Sequence, residues 1–209
     1  MQYSPVVYAS VFFALSAASF NISEAYTISN WARKMSRRKG YSIIRDLAKG
    51  MKTDKGNSIL VLLAFWLAAA SAWILGFYFP VLALPGPYYI YITAGSLLVL
   101  SGMAVRRWSM SSMGVLFTHF LSVRENHKVV ESGPYRYVRH PSYLGGLLFS
   151  AGLGVAIGNL ASIAVLIALP FVAYALRMDM EENMLAKNLG RPYLDYKRRV
   201  KQRILPMLW

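Results

Sequence analysis

The sequence predicts an all-α polytopic membrane protein with about five transmembrane helices, the last two forming a C-terminal helical hairpin. Of its 209 residues, 56% are hydrophobic and 15% charged, and the mean hydropathy is +0.38, the composition of a multi-span chain. The 23 Lys and Arg residues fall in three windows, with 9 in residues 33–55, 6 in 106–139 and 8 in 177–203. Only apolar runs lie between them. Cytoplasmic loops collect Lys and Arg, so all three windows belong on the cytoplasmic side, against anionic headgroups. The net charge of +14 therefore signals orientation in a membrane, and nucleic acid is not expected as a partner. No cysteine is present, which excludes disulfides, thiolate metal sites and cysteine nucleophiles.

The first span is expected over residues 6–31, because a crossing takes about 20 residues at about 1.5 Å each. The start lacks the charged region and cleavage site of a signal peptide, so this helix is read as retained, with its N-terminus outside. Glu24 and Asn21 fall near its cytoplasmic end, and Glu24 reads as a snorkelling side chain outside any site. The basic window that follows contains Ile43, Ile44, Leu47 and Met51, spaced for a short amphipathic helix on the membrane surface. A solvated basic loop is the equal alternative.

Residues 58–105 carry no charge and are too long for one crossing. Pro80, Pro85, Gly86 and Pro87 mark a turn. Both flanks are basic, so the number of crossings must be even. Two helices, 59–79 and 88–105, meet that condition, with Tyr88, Tyr89 and Tyr91 in an outer aromatic belt. Residues 143–176 pose the same problem, since 34 uncharged residues would make one helix of about 51 Å. A hairpin turning near Gly158 and Asn159 answers it. Gly145, Gly146, Gly152, Gly154 and Gly158 suit close packing of its two arms. In the tail, Met180, Met184, Leu185 and Leu189 share a helical face, Gly190 and Pro192 stop that helix, and a short segment should follow from Tyr193. The domains expected are an N-terminal transmembrane region, 1–105, and a core, 106–209. N-terminus outside, the C-terminus lies inside.

Chemistry concentrates in HKVVESGPYRYVRHPSYLGG, residues 127–146, which joins a basic segment to the hairpin. A spanning helix needs no such polar prelude. Arg177 and Glu181 are four apart and share a helical face; taken alone they read as an ion pair worth a few tenths of a kcal/mol. His127, His140 and Glu181 could be three metal ligands, but the local spacing of such sites is missing and no metal is expected. Arg136 and Arg139 read as interfacial anchors. Glu182 reads as a partner for arginines of the tail, and Tyr193, Tyr196 and the basic residues 197–203 as an interfacial clamp.

GPYRYVRHPSYLGG, then RxxxEE about 35 residues later, then LGxxYxxYKxxV and a late proline, resembles the integral-membrane methyltransferase family that includes isoprenylcysteine carboxyl methyltransferases and phospholipid N-methyltransferases. The resemblance covers residues 103–206, with Asp54-Lys55-Gly56 as a further faint match. It implies methyl transfer from S-adenosylmethionine at the cytoplasmic face, with cytosolic cofactor-binding segments. The positions matching His127, Lys128, Val129, Val130, Tyr135, His140, Pro141, Ser142, Tyr143 and Glu181 would line the cofactor, and Arg177 would serve the acceptor. A glutamine that the eukaryotic members place before the first histidine has no counterpart among Thr118, His119, Phe120 and Leu121.

The residue types suit that cofactor. Glu181 can take its ammonium, His140 or a backbone amide its carboxylate, and Tyr135 or Tyr143 can face its sulfonium. Arg177 offers a planar fork to an anionic acceptor. A carboxylate acceptor needs no general base. The expected partners are a lipophilic substrate arriving through the bilayer and membrane lipids; isoprenylcysteine is the nearest family substrate, with a lipid amine or thiol as alternatives. A nicotinamide-dependent membrane reductase and a non-catalytic scaffold are the competing classes.

Overall fold

The computed structural model describes residues 5–36, 54, 56–117 and 128–205. Six α-helices occur among them: α1 (Pro5–Ser36), α2 (Asn57–Tyr78), α3 (Tyr88–Met113), α4 (Pro141–Ile157), α5 (Leu160–Leu189) and α6 (Arg191–Arg199). The expected surface helix around Ile43 to Met51, His127 and residues 118–121 lie outside the described residues. By length and composition α2, α3 and α5 can each cross a membrane, and α4 is a shorter apolar helix. Its 17 residues rise about 26 Å. Helix α1 is long enough at 32 residues but less apolar. The named elements among the described residues are all helices, and the chain is a multi-pass integral membrane protein.

The two turns predicted from glycine and proline lie together at one end of the bundle. Gly158 takes the left-handed conformation (φ 72°) that ends α4, and Asn159 caps α5 by accepting from the amides of Ala161 and Ser162, satisfying donors that a helix start leaves open. The proline-rich turn after α2 is tied to this corner. Leu84 N–H donates to Gly158 at 2.8 Å, Asn159 Nδ2 donates to Phe79 at 3.0 Å, and Tyr88 donates to Ala156 at 2.8 Å. Arg106, Arg139 and Arg177 lie at the opposite end.

The strongest packing is between α3 and α4. Gly95 and Gly102 on α3 oppose Gly152 and Gly145 on α4, and each pair is seven residues apart. A Cβ on Gly102 would come within 2.6 Å of the Gly145 carbonyl, and one on Gly95 within 2.6 Å of the Gly152 carbonyl. Small residues let the backbones approach this closely. The hairpin glycines are therefore divided: Gly145 and Gly152 face α3, whereas Gly146 and Gly154 face Tyr174 and Ile163 of α5. This corrects the expectation that all of them serve close packing between the two hairpin arms. A spacing of seven selects one face, and α3 carries the matching pair.

The second arm does not stop at Leu176. It continues without a break as α5 to Leu189, through a buried Pro170, because nothing from 171 to 189 interrupts a helix. The last turns, 177–189, carry the charged residues beyond the apolar segment. Gly190 (φ 61°) ends α5, and Pro192 lies in the first turn of α6, where proline's missing N–H costs nothing. The core joins Ala68, Ala69 and Ala72 of α2 to Val99 of α3, Phe149 and Leu153 of α4 and Leu166 of α5.

Candidate active site

At the basic end of the bundle all five long helices converge on a cavity of about 410 Å³. Its polar rim is built from Glu24 (α1), Ser58 (α2), Arg106 (α3), Ser142 and Tyr143 (α4), and Arg177 and Glu181 (α5), with Tyr135, Arg139 and His140 from the segment before α4. Phe20, Phe65 and Phe149 lie further along α1, α2 and α4. Ser58 to Phe65 and Ser142 to Phe149 are each seven residues, so the rings stand about 10 Å deeper. They touch one another, with centroids 4.6 Å apart for Phe20 and Phe149 and 6.2 Å for Phe65 and Phe149. The cavity is charged at its mouth and aromatic at its floor.

Arg177 and Glu181 are joined through Tyr143. The Tyr143 hydroxyl accepts from Arg177 Nε at 2.9 Å and donates to Glu181 Oε2 at 2.7 Å. Its ring is stacked between His140, at 5.5 Å, and Tyr174, at 4.9 Å. The other edge of the guanidinium meets α2, with Nη1 donating to Ser58 Oγ at 2.9 Å and lying 3.5 Å from Asp54 Oδ1. Glu181 keeps 22% of its side chain exposed, which leaves it able to meet a cation in the cavity.

Glu182 faces the other way. It is 2% exposed and forms a buried hub, with Arg139 Nε at 2.8 Å, His140 Nε2 at 3.1 Å and Lys197 Nζ at 2.7 Å. Burial by itself would raise the Glu182 pKa, but the hydrogen bonds from His140, Lys197 and Arg139 outweigh it and hold the carboxyl well below the usual range. Arg139 also donates to the carbonyls of Val200 and Lys201 at 2.7 and 2.6 Å, and the amides of Arg139 and His140 donate to Gln202 and Arg203. The tail is thereby laced to the arginine-histidine segment. Tyr196 adds a hydrogen bond to the Tyr135 carbonyl at 2.9 Å. Burial pushes the phenols of Tyr135, Tyr193 and Tyr196 well above their ordinary range, so they stay neutral.

Of the residues singled out from the sequence, Tyr135, His140, Ser142, Tyr143, Arg177 and Glu181 line the cavity. Pro141 is fully buried at the start of α4 and shapes the turn without lining the cavity. Val129 and Val130 border a second, shallower groove with Ser112, Gly133 and Arg136, and Lys128 is exposed. Two expectations are corrected. Arg139 is not an interfacial anchor but is 7% exposed and paired with Glu182, because the tail folds back over it. Glu24 does not snorkel to the interface; it pairs with Arg106, Nε to Oε1 at 2.5 Å and Nη2 to Oε2 at 3.1 Å. Arg106 also reaches Ser142 Oγ at 2.9 Å. Sequence reasoning missed Arg106 and Ser58, and marked Asp54 only within a faint family match. Their signal was position, since each polar side chain lies within a turn or two of the basic end of its span. Among the described residues, no group of three or more His, Asp or Glu is arranged to hold a metal ion.

Fold and site together define a multi-pass helical membrane protein with a charged cavity at one end of its bundle. Comparison with known proteins makes this specific. Residues 95–187 match the isoprenylcysteine carboxyl methyltransferase family. The chain is 34% identical over 108 residues to protein-S-isoprenylcysteine O-methyltransferase B of Arabidopsis thaliana, covering 51% of this chain and 55% of that protein. It is 30% identical over 140 residues to the protein-S-isoprenylcysteine O-methyltransferase of Dictyostelium discoideum, covering 66% and 57%. The solved structure of a eukaryotic intramembrane Ras methyltransferase, an isoprenylcysteine carboxyl methyltransferase, superposes with a TM-score of 0.59 at 26% identity, over 69% of this chain and 52% of that one. The chain spans about half the length of these relatives. The stretch similar to the isoprenylcysteine carboxyl methyltransferase family, residues 95–187, takes in both GPYRYVRHPSYLGG and RxxxEE.

Proposed function

We propose that the protein transfers a methyl group from S-adenosylmethionine to the carboxylate of a lipophilic acceptor, of the isoprenylcysteine type, at the cytoplasmic membrane face. The observation that carries this reading is a cavity whose charged mouth and aromatic floor can hold both ends of such an acceptor. Residues 106–209 then form the methyltransferase core, and residues 1–105 contribute Glu24, Asp54, Ser58 and the apolar floor.

The residues present fit the cofactor. S-adenosylmethionine supplies a methyl group on a sulfonium, and the chain offers a partly exposed carboxylate, Glu181, for its ammonium. The Tyr135 and Tyr143 rings suit a cationic sulfur. Arg177 directs the acceptor carboxylate through charge-assisted hydrogen bonds. The carboxylate oxygen bonds to the methyl carbon while the carbon–sulfur bond breaks with its pair to sulfur, so no proton moves. Alignment of the two reactants supplies most of the acceleration in such a transfer.

The test is calorimetric binding of S-adenosylmethionine to the detergent-purified protein, followed by methyl transfer to prenylcysteine, lipid-amine and thiol acceptors. Saturable binding that Glu181→Gln and Tyr135→Ala weaken supports the reading. A folded wild-type protein that binds nicotinamide nucleotide instead would reject it. A reporter fused after Trp209 is expected on the cytoplasmic side.

A further inference from the structure

We propose that Asp54, acting with Ser58, is a positioning residue for Arg177, fixing one edge of its guanidinium and sharing its charge so that an anionic acceptor is held without being clamped. This rests on the reading of Arg177 as the acceptor contact. Both residues lie in the N-terminal half, outside the stretch that matches the family.

Asp54 is 2% exposed. A buried carboxylate is costly unless its oxygens are satisfied. One oxygen accepts from the Ser58 amide at 2.7 Å and the other lies 3.5 Å from Arg177 Nη1. Helix capping would use only the first of these. Ser58 then offers its own hydroxyl to the same Nη1 at 2.9 Å, so a single turn at the start of α2 grips the arginine twice. Tyr143 grips Nε. A planar group held at two edges cannot rotate about its long stem, which fixes the direction in which it meets an acceptor.

The charge has a second effect. In a site walled by apolar helices, an arginine without a nearby carboxylate would bind an acceptor anion tightly, because opposite charges attract strongly at low dielectric. The same attraction withdraws the lone pairs that must attack the methyl carbon. With Asp54 sharing the guanidinium, the acceptor is oriented while its oxygen stays nucleophilic, and the neutral ester formed has little hold on the site.

Asp54→Asn separates charge from capping, since the amide oxygen can still accept from Ser58 N–H. With an S-prenylcysteine carboxylate as acceptor, the variant is expected to lower KM about threefold and kcat about tenfold. Its affinity for the same acceptor without cofactor, measured by calorimetry, should rise by about the same threefold. Binding of S-adenosylmethionine should stay within about twofold, and Asp54→Glu should restore KM toward the wild-type value. Unchanged KM and kcat in Asp54→Asn, or a joint loss of cofactor binding and thermal midpoint, would overturn the proposal. Should Asp54→Asn not fold, Ser58→Ala keeps the charge and the backbone donor; it should lower kcat without lowering KM, and an unchanged kcat overturns the proposal equally. A wild-type protein that transfers no methyl group rejects the functional reading and this inference together, whereas active wild type with an indifferent Asn variant rejects this inference alone.

Discussion

Tyr143 accepts a hydrogen bond from Arg177 at 2.9 Å, and this contact turns two neighbours on one helix face into a shaped site. The same hydroxyl donates to Glu181. The two charges that we propose direct acceptor and cofactor are thus set by one phenol, itself held between two rings.

Removing that hydroxyl while keeping the ring is the sharpest test of the arrangement. Tyr143→Phe should retain the stacking with His140 and Tyr174 yet cost about 1–3 kcal/mol of positioning, or about ten- to a hundredfold in turnover. Methyl transfer measured at saturating cofactor checks this. Turnover within twofold of wild type would show that Arg177 and Glu181 need no bridge.

Glu182 should matter for stability more than for chemistry. In Glu182→Gln the cations of Arg139 and Lys197 lose a buried partner, a change that costs about 3–5 kcal/mol when one member of such a pair is removed. The loss should appear as a lower thermal midpoint and faster proteolysis of the tail after Leu189.

The same carboxylate sets a pH dependence. Because its folded pKa lies below its unfolded one, its contribution is complete above about pH 4.3, the ordinary Glu value, and is lost as pH falls below it. Thermal midpoints measured from pH 7 to pH 3.5 should decline for the wild type and decline less for Glu182→Gln. Parallel curves would remove Glu182 as the source.

The seam between α3 and α4 should not accept a methyl group. A Cβ at Gly145 would lie 2.7 Å from the Gly102 carbonyl and 2.8 Å from Arg106 N, so Gly145→Ala must push two backbones apart, at about 1–3 kcal/mol. The shift would carry Arg106 and Ser142 with it. Reduced resistance to denaturing detergent is the expected readout, and Gly56→Ala, with nothing within 4 Å of its Cβ, is the comparison for a strained backbone without a clash.

The aromatic floor should limit the acceptor's apolar part. Phe65→Trp adds volume beneath the charged mouth, and turnover should fall more for a long prenyl chain than for a short one. Equal losses across a chain-length series would place the tail elsewhere.

Hydropathy and charge placement determined the five long helices, both turns and the end of the bundle that holds the cavity, because a bilayer converts composition into helix length and gathers basic residues at span ends. Motif spacing marked Tyr135, His140, Ser142, Tyr143, Arg177 and Glu181, since residues at a span's end or four apart on a helix have few places to go. Motif matching assigned Glu181 to the cofactor and Glu182 to cations of the tail, and tertiary structure supplied the physical reason the two diverge. Glu181 and Glu182 are successive residues on one helix, about 100° apart, and only the packing of the tail against Arg139 turns Glu182 inward. Tertiary structure alone decided the partners of Glu24 and Asp54, for a charge finds its counter-charge across space. Glu24 and Arg106 are 82 residues apart in sequence, and no local pattern records a meeting made by helix packing.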